Sequence, residues 1–195
     1  MPCRFQTLLI ASRNRGKILE YRRLIDAAGL AEDVHDLTTS TIPETVEHGA
    51  TYEENARLKA RDAMRATGLP CLGDDGGIEI AALDGAPGLR TARYTDAAGG
   101  PSAAMEQLER ALRDRGVLES DPRATLHCAL AIALPTGGEV SAYAVVHGHV
   151  RWPRGVQGPG LFPLFDAPGE WDPAAPVLLH RARAFEAFMQ QLDAM

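Results

Sequence analysis

Three cysteines in a chain of 195 residues are too few and too scattered to staple a fold. Cys3, Cys71 and Cys128 are odd in number, far apart and without a C-x-x-C pair. That excludes a disulfide framework and a structural zinc site, and it fits a reducing compartment. The three read as small buried apolar side chains. Long hydrophobic runs are missing too. The opening MPCRFQTLLIAS holds too short an apolar stretch for a secretory signal, and nothing approaches the roughly 18 apolar residues of a membrane span. A soluble cytoplasmic protein is therefore expected. Internal repeats, low-complexity tracts and linkers are also absent, so residues 1–195 read as one domain. Finally, there is no excess of positive charge. A formal net charge of −6 offers no general attraction to a polyanion, so polymeric nucleic acid is not an expected partner.

What the chain does contain alternates between strand and helix patterns. Residues 5–11 read as a buried strand, 12–16 as a polar turn, and 17–28 as a helix with Ile18, Tyr21, Leu24 and Ile25 on one face, stopped at Gly29. A second strand is expected over 34–37 and a loop over 38–50. Thr51 with Glu54 three residues on has the pattern of a capping box for a helix that ends at Gly68. A strand then begins near Leu69-Pro70. Two carboxylates, Asp74 and Asp75, are followed at once by Gly76 and Gly77, which read as a turn, with a further strand over 78–83. A helix is expected over 101–113. Two apolar runs, 124–134 and 139–150, flank Gly137-Gly138 as in a hairpin; 151–176 reads as a long loop and 180–192 as a closing helix. The sum is an α/β body with a mixed sheet.

Two constellations carry chemistry. Ser12-Arg13-Asn14-Arg15-Gly16-Lys17 occupies a turn between strand and helix, where free N–H groups and the helix dipole favour an anion, and it adds a hydroxyl, an amide and three cations. It is no Walker A loop, since Ala11 and Ile18 stand where that motif needs Gly and Ser or Thr. The second constellation is acidic: Glu47, Glu53, Glu54, Asp74 and Asp75. Hard oxygen ligands of this kind suit Mg²⁺, and a like charge beside one aspartate would raise its pKa toward that of a general base. With Lys59 these features point to metal-assisted hydrolysis of a phosphoanhydride.

Three stretches in order, LIASRNRGKILEYRRLI, EHGATYEENARLKARDA and GDDGGIEIAALDGAPGLRTARY, resemble the signature segments of the inosine triphosphate pyrophosphatase family, also called the Ham1 or RdgB family. The resemblance covers about the first 95 residues closely and continues more weakly to the end. It implies a two-lobed α/β fold around a long central mixed sheet flanked by helices. It also implies Mg²⁺-dependent hydrolysis of a purine nucleoside triphosphate to monophosphate and pyrophosphate, in a homodimer. By the same resemblance Ser12, Asn14, Lys17 and Lys59 meet the phosphates, and Glu47 and Asp75 belong to the metal. Asp74, Asp75 and Lys59 form the catalytic set, with Asp75 activating water.

The last third departs from the family. GPGLFPLF, residues 158–165, replaces the usual G-F-G-Y-D-P-x-F: Pro159 stands for the stacking aromatic, Leu161 for Tyr and Phe162 for Asp. Gly76 replaces a serine. Phe162, His180 and Arg181 remain as the candidates on the base side, the last two for contact with the base carbonyl. Losing polar partners from such a pocket relaxes selectivity, so an altered base preference is expected, with a nucleotide-binding regulatory protein of reduced catalysis as the alternative.

Overall fold

The computed structural model describes residues 3–152, 160–167 and 177–194. Strand β1 (Phe5–Ile10), helix α1 (Arg15–Ala27) and strand β2 (Ala31–Asp36) come first, followed by α2 (Tyr52–Thr67) and β3 (Cys71–Ile80). Helices α3 (Thr91–Ala97) and α4 (Pro101–Asp114) lead to β4 (Arg123–Ala133), β5 (Glu139–Val150), the two-residue β6 (Phe165–Asp166) and α5 (Leu179–Asp193). The strands order as β2-β1-β3-β4-β5-β6; β1 runs parallel to β2 and β3, and β6 antiparallel to β5. This is the expected mixed sheet of an α/β fold. None of the described helices is long and apolar enough to cross a membrane.

The chain divides into two compact units. The first holds the described residues within Met1–Asp75, Cys128–Ala144 and Ala174–Met195; the second holds those within Gly76–His127 and Val145–Pro173.

In the first unit both faces of the sheet are covered. Successive side chains of a strand point to opposite faces. Accordingly Leu8, Ile10 and Leu72 join a buried cluster with Ile18, Tyr21 and Ile25 of α1 and Phe185, Phe188 and Leu192 of α5. Leu9, Ala11 and Cys71 face the other way, clustering with Ala63 of α2. Helix α2 forms as its sequence prescribes. Thr51 Oγ1 accepts from the Glu54 N–H at 3.1 Å, Glu54 Oε2 accepts from the Ala50 N–H at 2.6 Å, and Gly68 closes the helix at φ +70°. Its contact face is small, with Ala56 and Ala60 wholly buried. Gly73 of β3 lies directly against it, so close that a Cβ there would stand 2.2 Å from the Ala56 carbonyl oxygen and 2.7 Å from the Ala60 nitrogen. That approach sets how far the α2 side chains reach toward β3.

In the second unit Ala104, Met105, Leu108 and Leu112 form the buried stripe of α4, as their spacing predicts. Thr91 Oγ1 ties the start of α3 to the strand by accepting from the Ile78 N–H at 3.1 Å.

Three expectations need correction. Asp74-Asp75-Gly76-Gly77 is not a turn: β3 runs unbroken from Cys71 to Ile80. Gly and Asp disfavour strands, but each face of this stretch has a partner that overrides the local preference. Residues 81–83 are a 3₁₀ turn and not the end of a strand, and α3 was unannounced because its seven residues show no buried face. The expected loop over 151–176 contains β6, whose Phe165 pairs with Val150. Pro159 lies outside the described residues.

Candidate active site

The site grows out of two parity rules in the first unit. On β3, Leu72 and Asp74 face α1 and α5, whereas Cys71, Gly73 and Asp75 face α2. Two adjacent carboxylates are tolerated because they do not share a face.

On the α1 side the polar turn is organised by its own side chains. Ser12 Oγ accepts from the Asn14 N–H at 3.1 Å, and Asn14 Oδ1 caps the helix by accepting from the Lys17 N–H at 3.1 Å. Lys17 then reaches Asp74, donating to Oδ1, while the Tyr21 hydroxyl donates to Oδ2. Lys17 and Tyr21 are four residues apart, one turn of α1, so they meet the same carboxylate. Cys128 Sγ lies 3.5 Å from Asp74 Oδ2 and Arg181 Nε 3.8 Å from it. Arg181 is also anchored elsewhere: its Nη1 donates to Glu20 Oε1 at 2.9 Å, and Glu20 Oε2 accepts from the Leu178 N–H at 2.8 Å.

Burial alone would push the Asp74 carboxyl up. The charges of Lys17 and Arg181 and the bonds from Lys17 and Tyr21 outweigh it, holding Asp74 well below the usual carboxylate range. Burial and the neighbouring Asp74 push the Tyr21 phenol up, so it stays a donor. Burial likewise pushes the Cys128 thiol up to about 12.

On the α2 side Asn55 and Lys59, again one turn apart, both hold Asp75. Asn55 Nδ2 donates to Oδ2 at 3.2 Å and Lys59 Nζ to Oδ1 at 2.8 Å. The same ammonium bonds Glu47 Oε1 at 2.7 Å and the Asp74 carbonyl oxygen at 3.1 Å. Burial raises the Asp75 carboxyl above its ordinary value against the opposing pull of Lys59, and the Glu47 charge adds to the rise. Burial would lower Lys59, but Asp75 and Glu47 reverse that and raise it.

The raised Asp75 carboxyl is what a general base requires; burial is its first cause, and a like charge, that of Glu47, adds to it. Glu54 is occupied at the start of α2.

Of the residues singled out in the sequence, Ser12, Asn14, Lys17, Glu47, Lys59, Asp74, Asp75 and Arg181 join one network. His180 is buried in the first turn of α5. Phe162 belongs to the second unit, buried with its ring 6.2 Å from that of Phe165. Glu20, Tyr21, Asn55 and Cys128 were not foreseen. A signal for Tyr21 and Asn55 existed in their one-turn spacing from Lys17 and Lys59. These are the only two lysines of the chain, and both end on the acidic pair.

The Ham1 family model matches residues 8–191. This chain belongs to the Ham1 family. Among its Ham1 relatives, a dITP/XTP pyrophosphatase of Rhizobium meliloti (strain 1021) is 38% identical over 206 residues, covering 95% of both chains. One of Rhodospirillum centenum (strain ATCC 51521 / SW) is 40% identical over 198 residues, covering 96% of both. Solved Ham1 structures agree in fold. A HAM1 protein from Coxiella burnetii superposes with a TM-score of 0.75 at 31% identity, covering 97% of this chain and 99% of its own. The Staphylococcus aureus Ham1 protein gives 0.74 at 27% identity, covering 96% and 98%.

Proposed function

We propose that this Ham1-family chain hydrolyses a nucleoside triphosphate between its α and β phosphorus atoms, releasing nucleoside monophosphate and pyrophosphate. The relatives named dITP/XTP pyrophosphatase support a non-standard purine as the base. One observation carries the reading: each aspartate of the pair is tied to one of the chain's two lysines, on opposite faces of β3. One aspartate–lysine pair serves the phosphates and the other serves the attacking water.

The residues fit Mg²⁺. Among the described residues no group of three or more His, Cys, Asp and Glu side chains is gathered for a metal, but Mg²⁺ is commonly held by one or two carboxylates plus substrate phosphates. Glu47 and Asp75 are two such carboxylates, already converging on one cationic atom, Lys59 Nζ, at 2.7 and 2.8 Å. They are the residues that would hold the ion; bound there it would neutralise phosphate charge and acidify the water.

Asp75 accepts the proton of the attacking water as its oxygen bonds to the α phosphorus. The bond from that phosphorus to the bridging oxygen breaks, and pyrophosphate leaves with the electron pair. Lys59 holds Asp75 in place through its bond to Oδ1. Lys17, at the start of α1, binds phosphate oxygens together with the hydroxyl of Ser12, the amide of Asn14 and the first-turn N–H groups. His180 and Arg181 stand on the base side of this reading. A cytoplasmic homodimer belongs to it as well, and light scattering on the purified protein measures the dimer directly.

Incubation with Mg²⁺ and inosine, xanthosine, guanosine, adenosine and pyrimidine triphosphates, in ribo and deoxy forms, tests the reading. Pyrophosphate release, strongest with a 6-oxo purine, is the expected result. Release of single phosphate in place of pyrophosphate would overturn the bond assignment. Tight nucleotide binding without any product would favour the regulatory alternative.

A further inference from the structure

Asp74 is a buried carboxylate whose two oxygens have different partners. Lys17 Nζ takes Oδ1; the Tyr21 hydroxyl takes Oδ2, with Cys128 Sγ at 3.5 Å from the same oxygen. Tyr21 is fully buried, in the apolar cluster that also holds Leu8, Ile10, Ile25 and Phe188. A leucine or phenylalanine would fill such a place equally well, and a buried hydroxyl is retained at no cost only when it is hydrogen-bonded.

We propose that Tyr21 is a positioning residue that keeps Lys17 transferable, holding Asp74 through Oδ2 so that the Lys17 ammonium can leave Oδ1 for a phosphate of the substrate. The inference rests on the proposed function in one respect, that Lys17 meets the nucleotide's phosphates. Its physical basis is the cost of an uncompensated buried charge. When Lys17 turns to a phosphate, Asp74 must stay hydrogen-bonded and compensated. The phenol supplies the bond. Arg181 supplies charge, with its Nε 3.8 Å from Oδ2 and its Nη1 fixed by Glu20 at 2.9 Å, so it does not move with the substrate. Without the phenol the carboxylate depends more heavily on Lys17, and the substrate must compete harder for the ammonium.

The test compares Tyr21→Phe with site-specific 3,5-difluorotyrosine at position 21, whose phenol is a stronger donor. Two readouts are taken. The first is KM and kcat for Mg²⁺-dependent pyrophosphate release. The second is competitive acetylation of Lys17 by acetic anhydride at fixed pH, quantified by mass spectrometry against Lys59, the only other lysine. In Tyr21→Phe, KM is expected to rise about tenfold with kcat within about twofold, the pattern of a lost ground-state contact, and the Lys17:Lys59 labelling ratio to fall about threefold or more. The difluorotyrosine protein is expected to shift both in the opposite direction.

A folded Tyr21→Phe protein with unchanged KM and unchanged labelling overturns the proposal. So does a difluorotyrosine protein that moves in the same direction as Phe. Should Tyr21→Phe fail to fold, the sign of the difluorotyrosine shift decides. If the labelling ratio shifts as expected while wild-type protein releases no pyrophosphate, the positioning role stands and the hydrolytic reading falls.

Discussion

Replacing Asp75 by asparagine separates chemistry from architecture. Asparagine keeps the size of the side chain, and its oxygen still accepts from Lys59 Nζ, now 2.8 Å from Asp75 Oδ1; what disappears is the charge and the capacity to take a proton. A positioned general base contributes about 10²–10⁴ in rate, so kcat for pyrophosphate release should fall by at least about 10² with KM within about threefold. Wild-type activity should rise with pH as the base ionises, and that limb should vanish in the variant.

Stability should move little, because relief of a buried charge offsets the loss of the bond that Asn55 Nδ2 donates to Asp75 Oδ2. A carboxyl whose folded pKa is raised contributes stability below its unfolded value, and the contribution is lost as pH rises through the folded one. At neutral pH the ionised Asp75 is therefore a burden that asparagine relieves, while Lys59 keeps Glu47 as its partner at 2.7 Å. We expect a melting temperature within about 3 °C of wild type. Pyrophosphate measured by ion chromatography and melting followed by circular dichroism decide the matter. An asparagine variant with more than about a third of wild-type kcat would remove Asp75 from the base role.

Other outcomes follow from the same network. Asp74→Asn should destabilise the chain by about 3–5 kcal/mol, since it strips the buried Arg181 and the half-buried Lys17 of a shared counter-ion; urea titration measures this. Because the folded pKa of Asp74 is depressed, its contribution is present above the unfolded value near 3.8 and lost as pH falls through the folded one, so the difference between wild type and variant should shrink on acidification. Gly73→Ala should cost at least about 2 kcal/mol in the same titration, because its Cβ would meet backbone atoms of α2 at 2.2 and 2.7 Å; a neutral result would mean that α2 does not lie where described. Thiol titration of native protein at pH 8 should label Cys3 first. Burial pushes Cys71 to about 11 and Cys128 to about 12, and rapid labelling of Cys128 would contradict its burial.

Much of the local structure was legible because its causes are local. Thr51, Glu54 and Gly68 delimit α2 through hydrogen bonds and a left-handed cap that involve neighbours in the chain. The burial of Met105, Leu108 and Leu112 follows from helical spacing. The resemblance motifs likewise placed Lys17, Glu47, Lys59, Asp74 and Asp75 in one site, because residue identity and order carry that information. By contrast, Glu20 has neither charge pattern nor motif to mark it, and its importance comes from partners about 160 positions away, the Leu178 N–H and the Arg181 guanidinium.

By itself the amino-acid order determined the alternation of strands and helices and the family. Only the tertiary structure decided that Asp74 and Asp75 lie in an unbroken strand and point to opposite faces, one held low by Lys17, Arg181 and Tyr21, the other raised by burial against the pull of Lys59. The reason is physical. Glycine and aspartate next to each other favour a turn, and a strand through them is stable only where α1, more than 50 positions away, and α2, just before it, each bring a cation and a hydrogen-bond donor to one face. Local preference cannot contain that information.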